Sequence, residues 1–130
     1  MLRTHKSIDE RFSGICIDLL PGKRSIVSLK TENFMKVDEK GLVHGGFTFS
    51  VADYAAMTAV NHPNVILSKA VVKFTSPVKV GDTLIAKARL YKHQNNRYYV
   101  NVEVFVEEKK VFEGKFICLV LKSHVLDLRK

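Results

Sequence analysis

The sequence predicts an α+β fold in which a curved antiparallel sheet wraps one long central helix. Three observations predict it. The second half of the chain reads as a strand meander with the two-residue period of half-buried strands. Residues 45–61 (GGFTFSVADYAAMTAVN) lack that alternation and are small or apolar on nearly every helical face, which implies a helix buried all round. Finally, 130 residues with 46% hydrophobic and 26% charged side chains suit one compact domain spanning residues 1–130. A lone buried helix among several strands has to be covered by the sheet those strands form.

The elements follow in order. Ser7-Ile8-Asp9-Glu10 has the spacing of a capping box and predicts a short helix to about Phe12. Residues 14–20 and 24–30 form a hairpin about Pro21-Gly22. The central helix is stopped by His62-Pro63, and Ala52, Ala55, Ala56 and Ala59 allow the sheet to approach it closely. Residues 67–74 form a strand closed by Pro77 and the turn-prone Gly81-Asp82. Leu84, Ala86, Ala88 and Leu90 alternate with polar neighbours, and a polar turn at residues 93–96 follows. Val100, Val102, Val104 and Val106 repeat the pattern, residues 107–110 turn the chain again, and residues 111–121 complete the meander. No internal repeat, flexible linker or long charge run divides the chain.

Composition narrows the function classes. Lys+Arg outnumber Asp+Glu by 21 to 13, for a net charge of +8, which invites a polyanionic partner. The basic residues Lys69, Lys73, Lys87, Arg89, Lys92 and Arg97 are scattered, so no nucleic-acid partner is expected; Tyr98-Tyr99 reads as packing rather than a base-stacking platform. Membrane attachment has no amphipathic basic helix to support it, and no apolar run reaches spanning length. Cys16 and Cys118 lie among apolar residues as small hydrophobes, consistent with a cytoplasmic protein. His5, His44, His62, His93 and His124 lack ligand spacing, so no metal and no resident cofactor is expected.

One residue breaks the pattern of the central helix. Asp53 is flanked by Ala52 and Tyr54, with no cation between Gly45 and Asn61. An unpaired carboxylate in such surroundings either faces solvent, pairs with a strand lysine, or has its pKa raised in a functional role. Upstream, Gly41-Leu42-Val43-His44-Gly45-Gly46 leads into the helix. The two glycines permit unusual backbone angles and close approach of a ligand, and the helix start offers unpaired N–H groups at the positive end of its dipole. Such a place suits a carbonyl oxygen that becomes negative in a transition state. His44 can donate a hydrogen bond to the same group.

The block GLVHGGFTFSVAD (41–53), with KFTSPVKVGD (73–82) downstream, resembles the hotdog-fold acyl-CoA thioesterases of the phenylacetate-degradation type. The resemblance runs from about Phe34 to Leu121. It implies a homodimer or homotetramer with active sites at a dimer interface, and an acyl-CoA substrate whose coenzyme A phosphates account for part of the positive charge. It further implies that Asp53 is the nucleophile or general base, that the Gly45 N–H is the oxyanion donor, and that His44 orients the thioester. Gly46, Asp38 and Ser68 are implied substrate contacts. Many relatives have Asn where this chain has Asp38, and Ser68 only approximates their hydroxyl position. A second reading is a non-catalytic hotdog protein that binds acyl-CoA as a regulator. The signatures of hotdog dehydratases are not found.

Overall fold

The computed structural model describes residues 1–129. The chain runs α1 (Glu10–Ser13), β1 (Ile15–Leu20), β2 (Arg24–Lys30), α2 (Gly45–Val60), β3 (Val65–Phe74), β4 (Thr83–Gln94), β5 (Arg97–Val106) and β6 (Lys109–Val120). Short 3₁₀ turns occupy Asn33–Met35 and Val125–Asp127. The six strands form one sheet in the order β1-β2-β4-β5-β6-β3, every neighbouring pair antiparallel. That sheet curls around α2, which is the hotdog arrangement expected.

Period-two patterning decides which side chains meet the helix. Leu84, Ala86 and Ala88 of β4, Val100, Val102 and Val104 of β5, and Phe112, Phe116 and Cys118 of β6 are all buried. Their neighbours Lys87, Arg89, Asn101 and Glu103 face outward. Against them lie Val51, Ala52, Ala55, Ala56 and Ala59 of α2, each fully buried. Alanine at these positions brings the helix backbone near the sheet, and Ser25 Oγ on β2 donates to the Ala55 carbonyl at 2.6 Å. Thr58 Oγ1 donates to the same carbonyl and to Ser25 Oγ, each at 3.0 Å, so this buried polar cluster is satisfied.

Turns and helix ends are finished by identifiable groups. Asn61 closes α2 in the left-handed region (φ 53°), its N–H donating to the Met57 carbonyl at 2.9 Å. The Gly22 N–H of the β1–β2 turn donates to the Ala59 carbonyl at 2.8 Å, so that hairpin also caps the helix. The N-terminal segment crosses the same end: Asn61 Oδ1 accepts from the Arg3 N–H and Asn61 Nδ2 donates to the Met1 carbonyl.

Several boundaries differ from the sequence reading: β3 starts at Val65 rather than residue 67 and β1 at Ile15 rather than residue 14. Three further differences have an identifiable cause. α1 starts at Glu10 because Asp9, not Ser7, is its N-cap; the Asp9 carboxylate accepts from the Arg11 N–H at 2.9 Å and pairs with the Arg11 guanidinium at 2.8 Å. The β4–β5 turn shrinks to Asn95-Asn96. His93 stays in the ladder opposite Tyr98, their rings stacked at 3.9 Å, and Asn95 takes the positive φ. The β5–β6 turn shrinks to Glu107-Glu108, because Lys110 is held in β6 by Glu103 and Glu113 at 2.7 and 3.1 Å.

The close helix–sheet approach yields a test. Ala55→Leu forces extra volume into a filled contact and should lower stability by about 1–3 kcal/mol. In urea unfolding this appears as a lower midpoint with an unchanged slope.

Candidate active site

The start of α2 is positioned by the loop before it. Lys36 bridges Val43, and Leu42 bridges Lys79, so the loop is clamped on two sides. The Val43 N–H donates to the Val78 carbonyl at 2.8 Å and the His44 N–H to the Met35 carbonyl at 2.9 Å. Asp38 folds the loop between them: its Oδ1 accepts from the N–H groups of Lys40 and Leu42 at 3.0 and 3.2 Å. Thus clamped, His44 takes the N-cap position with extended backbone (φ −60°, ψ 130°) and no side-chain cap. The N–H groups of Gly45 and Gly46 make no backbone hydrogen bond among the described residues. Both remain free at the positive end of a helix of 16 residues.

Close contact, not backbone angle, is what requires these two glycines. Neither has a positive φ, contrary to the expectation of unusual backbone angles; both have entered the helix. A Cβ on Gly45 would stand 3.3 Å from Phe74 Cε2, and one on Gly46 would stand 2.8 Å from His44 Nε2. The imidazole therefore lies against the Gly46 Cα, and it meets the Phe47 ring edge to face at 6.2 Å. Phe47 in turn stacks with Phe12 at 6.1 Å and meets Phe34 edge to face at 5.7 Å, forming a partly exposed aromatic cluster.

Asp53 is two turns further along. It is partly buried and pairs with no strand lysine: its Oδ1 is buried without a hydrogen-bond partner among the described residues. Desolvation raises its pKa to about 6. Phe49 and Met57 flank it one turn away on either side. Cys118 of β6 is buried nearby, and burial together with the charge of Asp53 pushes its thiol up to about 12. That thiol is a packing group, not a nucleophile.

The structure brings His44, Gly45 and Gly46 together, and holds Asp53 apart from them. Eight residues of helix separate Gly45 from Asp53 by about 12 Å along the axis. A single carbonyl at the Gly45 N–H is therefore out of reach of Asp53 in the same chain. Asp38 makes no contribution to the raised pKa of Asp53, whose cause is desolvation alone. Ser68 is exposed at a bulge in edge strand β3, between the Leu67–Cys118 and Lys69–Ile117 pairs.

Several features of the region were not legible in the sequence. An open hollow of about 340 Å³ adjoins Gly45, with Thr48, Phe74, Thr75, Ser76 and Val78 in its wall. Of the apolar helix residues that could have shaped a pocket, Phe47 joins the aromatic cluster and Phe49 packs on Phe116 at 5.6 Å, while Tyr54 and Met57 are buried. The neighbourhood of Cys118 to Asp53 comes from strands far apart in the chain; no local motif announces it.

Comparison with known proteins follows the same outline. Residues 40–113 match the model of the thioesterase superfamily. The chain is 54% identical to an uncharacterized protein of Pyrococcus horikoshii of known structure, with a TM-score of 0.95 over 98% of this chain and 97% of that one. It is 52% identical over 120 residues to a methylthioribose-1-phosphate isomerase of Aquifex aeolicus, covering 92% of this chain and 26% of that protein. It is 39% identical over 117 residues to the transcription factor FapR of Caldanaerobacter subterraneus, covering 89% of this chain and 58% of that protein. The chain thus spans about a quarter of the first of these two and a little over half of the second. Two distant structures share the fold. The PaaI protein of the Escherichia coli phenylacetic acid degradation operon is 21% identical with a TM-score of 0.81, covering 92% of this chain and 88% of that one. A hypothetical thioesterase protein of Streptococcus pneumoniae solved with coenzyme A is 16% identical with a TM-score of 0.74, covering 85% of this chain and 87% of that one.

The desolvated carboxylate predicts a stability signature. A folded-state pKa of about 6 against an ordinary 3.8 means that the folded protein holds its proton to higher pH than the unfolded chain. Stability is then greatest below the ordinary value and falls as pH rises through about 6, by about 3 kcal/mol in all. Asp53→Asn should therefore stabilise the protein at pH 7 and lose that advantage near pH 4, as read by urea unfolding at both values.

Proposed function

The chain belongs to the thioesterase superfamily, and from that premise we propose that it hydrolyses an acyl-CoA thioester, with Asp53 as the catalytic carboxylate. The observation that carries this reading is the unpartnered Asp53 Oδ1 inside an apolar helix. A carboxylate kept there without a partner lowers stability, and its raised pKa suits a base or nucleophile working near neutral pH. The exposed N–H groups of Gly45 and Gly46 support the second half of the chemistry, stabilising the oxyanion formed when the carbonyl is attacked.

The separation of about 12 Å along α2 determines how the parts combine. In this reading the Gly45 N–H of one protomer and Asp53 of a second copy converge on one carbonyl, with His44 orienting the thioester from the oxyanion side. Edge strand β3, whose outer ladder is unpaired and which exposes Val71 and Phe74, is the surface that fits such a second copy. Asp53 attacks the carbonyl carbon directly, or removes a proton from a water that does. The thiolate of coenzyme A leaves and is protonated. Where water was the nucleophile the free acid is released at once; where Asp53 was, a water hydrolyses the acyl–Asp53 anhydride, freeing the acid and restoring the carboxylate. Asp38, spent in folding its loop, acts on the substrate only through the position of Val43 and His44.

A second reading is favoured by the similarity to a transcription factor over most of this chain: an acyl-CoA-binding regulatory domain without turnover. The same assay separates the two. Thiol release from a panel of acyl-CoAs should occur with the natural sequence and fall at least a hundredfold in Asp53→Asn. Its kcat/KM should rise with pH through about 6 as Asp53 ionises. Binding without thiol release by the natural sequence would leave the regulatory reading. Lys and Arg contacts to the coenzyme A phosphates should make affinity weaken as salt rises; an affinity indifferent to salt counts against them.

A further inference from the structure

Basic residues scattered along the sequence, the reason to expect no nucleic-acid partner, are gathered by the sheet onto its outward face, away from α2. Register sets them in rows. One row runs Arg24 on β2, Arg89 on β4, Asn101 on β5, Lys115 on β6 and Val71 on β3. The next runs Lys92, Tyr99, Ile117 and Lys69 across β4, β5, β6 and β3. Two residues before Tyr99, and so on the same side of β5, stands Arg97. The bulge between Leu90 and Lys92 turns Tyr91 to this face as well, its ring 6.1 Å from that of Tyr99. All six of these cations are exposed.

The carboxylates of this face are kept apart from them. Asp18, Glu103 and Glu113 all fall in the row on the other side of Arg89, together with Ile26, Lys87 and Lys73. Glu103 and Glu113 are both taken by Lys110, at 2.7 and 3.1 Å. Asp18 reaches Arg24 at 3.8 Å, and no other ion pair touches the six cations among the described residues. Solvation alone is served as well by interspersed charges of both signs. Arg24 and Arg89 even stand directly opposite each other. Like charges so placed destabilise a sheet, and an anion lying between them reverses the sign. Two rings lie within this basic field. Tyr91 is 46% exposed, with Lys115 Nζ 5.8 Å above its ring, and Lys92 Nζ is 5.1 Å above the half-buried Tyr99. Tyr98, by contrast, packs against the core and stacks on His93.

We propose that this half of the outward face binds single-stranded nucleic acid, with bases stacking on Tyr91 and Tyr99 and phosphates lying along Arg24, Arg89, Lys92 and Lys115. A ring flanked by an ammonium group suits a base on its face and a phosphate on its cation. From Arg24 to Lys115 the row spans three inter-strand spacings, about 14 Å, so it follows a strand rather than one phosphate. A duplex keeps its bases stacked within itself and takes only the electrostatic share. The face lies on the side of the sheet away from α2, and it stays open when a second copy adds at the edge of β3. The inference is therefore independent of hydrolysis at Asp53.

The test uses the full chain with fluorescein-labelled oligouridylate and oligothymidylate of about 20 nucleotides, read by anisotropy at about 50 and 200 mM salt. Single strands should bind more tightly than a duplex of the same length, and more weakly as salt rises. Tyr91→Ala should weaken single-strand binding about tenfold with the salt slope unchanged, and Tyr91→Phe should retain it. Arg89→Gln and Lys115→Gln should each lower affinity and make the slope of log affinity against log salt shallower by ~0.7. Lys40→Gln, in the loop before α2, removes the same charge and should change neither quantity. Thermal unfolding checks that each variant is folded. Absence of single-strand binding at the lower salt overturns the proposal, and so does a duplex bound equally well. An equal loss from Lys40→Gln and Arg89→Gln also overturns it, leaving only net charge. Polyglutamate bound as tightly, with Tyr91→Ala silent, would assign the face to an acidic protein instead. Variants that shift the oligomeric state in sedimentation without moving strand binding would make it an interface between copies, and either result overturns the platform.

Discussion

A helix with no polar face must be covered on every side, and the rest of this structure follows from meeting that need with one sheet. Ten of the sixteen residues of α2 are buried, and only its first turns keep some access to water. Six antiparallel strands can surround it only by curving, and bulges in β1, β3 and β4 accompany that curvature. The alanines on α2 set how near the sheet comes. The β1–β2 turn then reaches the helix end, where Gly22 caps the Ala59 carbonyl. Connections elsewhere are shaped to this enclosure; the clamped loop of residues 36–43 determines where the helix may begin.

The same enclosure perturbs the carboxylate that the helix carries. A carboxylate on a surface helix would keep its ordinary pKa, but Asp53 shares its helix with Ala52, Ala56 and Met57 and faces no cation that could hold it ionised. Desolvation is therefore the whole cause of its shift. At the other end of the same element, the free N–H groups of Gly45 and Gly46 exist because a helix start leaves them unsatisfied. The Asp53 carboxylate and these free N–H groups are thus two products of one largely buried helix, and its rise keeps them about 12 Å apart within a chain.

The surplus positive charge has little to do with holding the fold. Asp18 meets Arg24 at 3.8 Å, and Lys110 is shared by Glu103 and Glu113, all of them partly solvated. Surface pairs of this kind contribute little. Lys87, Arg89 and Lys115 enter no ion pair among the described residues and stand on the outward face of the sheet. They are available to an anionic ligand, which is where the composition pointed, but neither their number nor their spacing in the chain identifies the ligand.

Strand periodicity, the breaks at Pro and Gly, and the all-apolar segment at 45–60 were enough to determine the α+β class, the central helix and most strand positions. They work because burial on one face of a strand leaves a period of two, and burial of every face of a helix leaves none. The anomaly of Asp53 and the His44-Gly45-Gly46 helix start were legible for the same reason, as exceptions to a local pattern. Turn limits were less so: Lys110 and His93 look like loop residues by composition, and only their partners across the ladder hold them in strands. The N-cap of α1 went to Asp9 because Arg11 was placed to share its carboxylate. What tertiary structure alone decided was proximity between distant segments. It set Cys118 beside Asp53, Phe74 against the backbone of Gly45, and Thr48 at an open hollow bordered by the segment that follows β3. A one-dimensional pattern records which way a side chain points relative to its own neighbours; which strand curls over it depends on the path of the whole sheet.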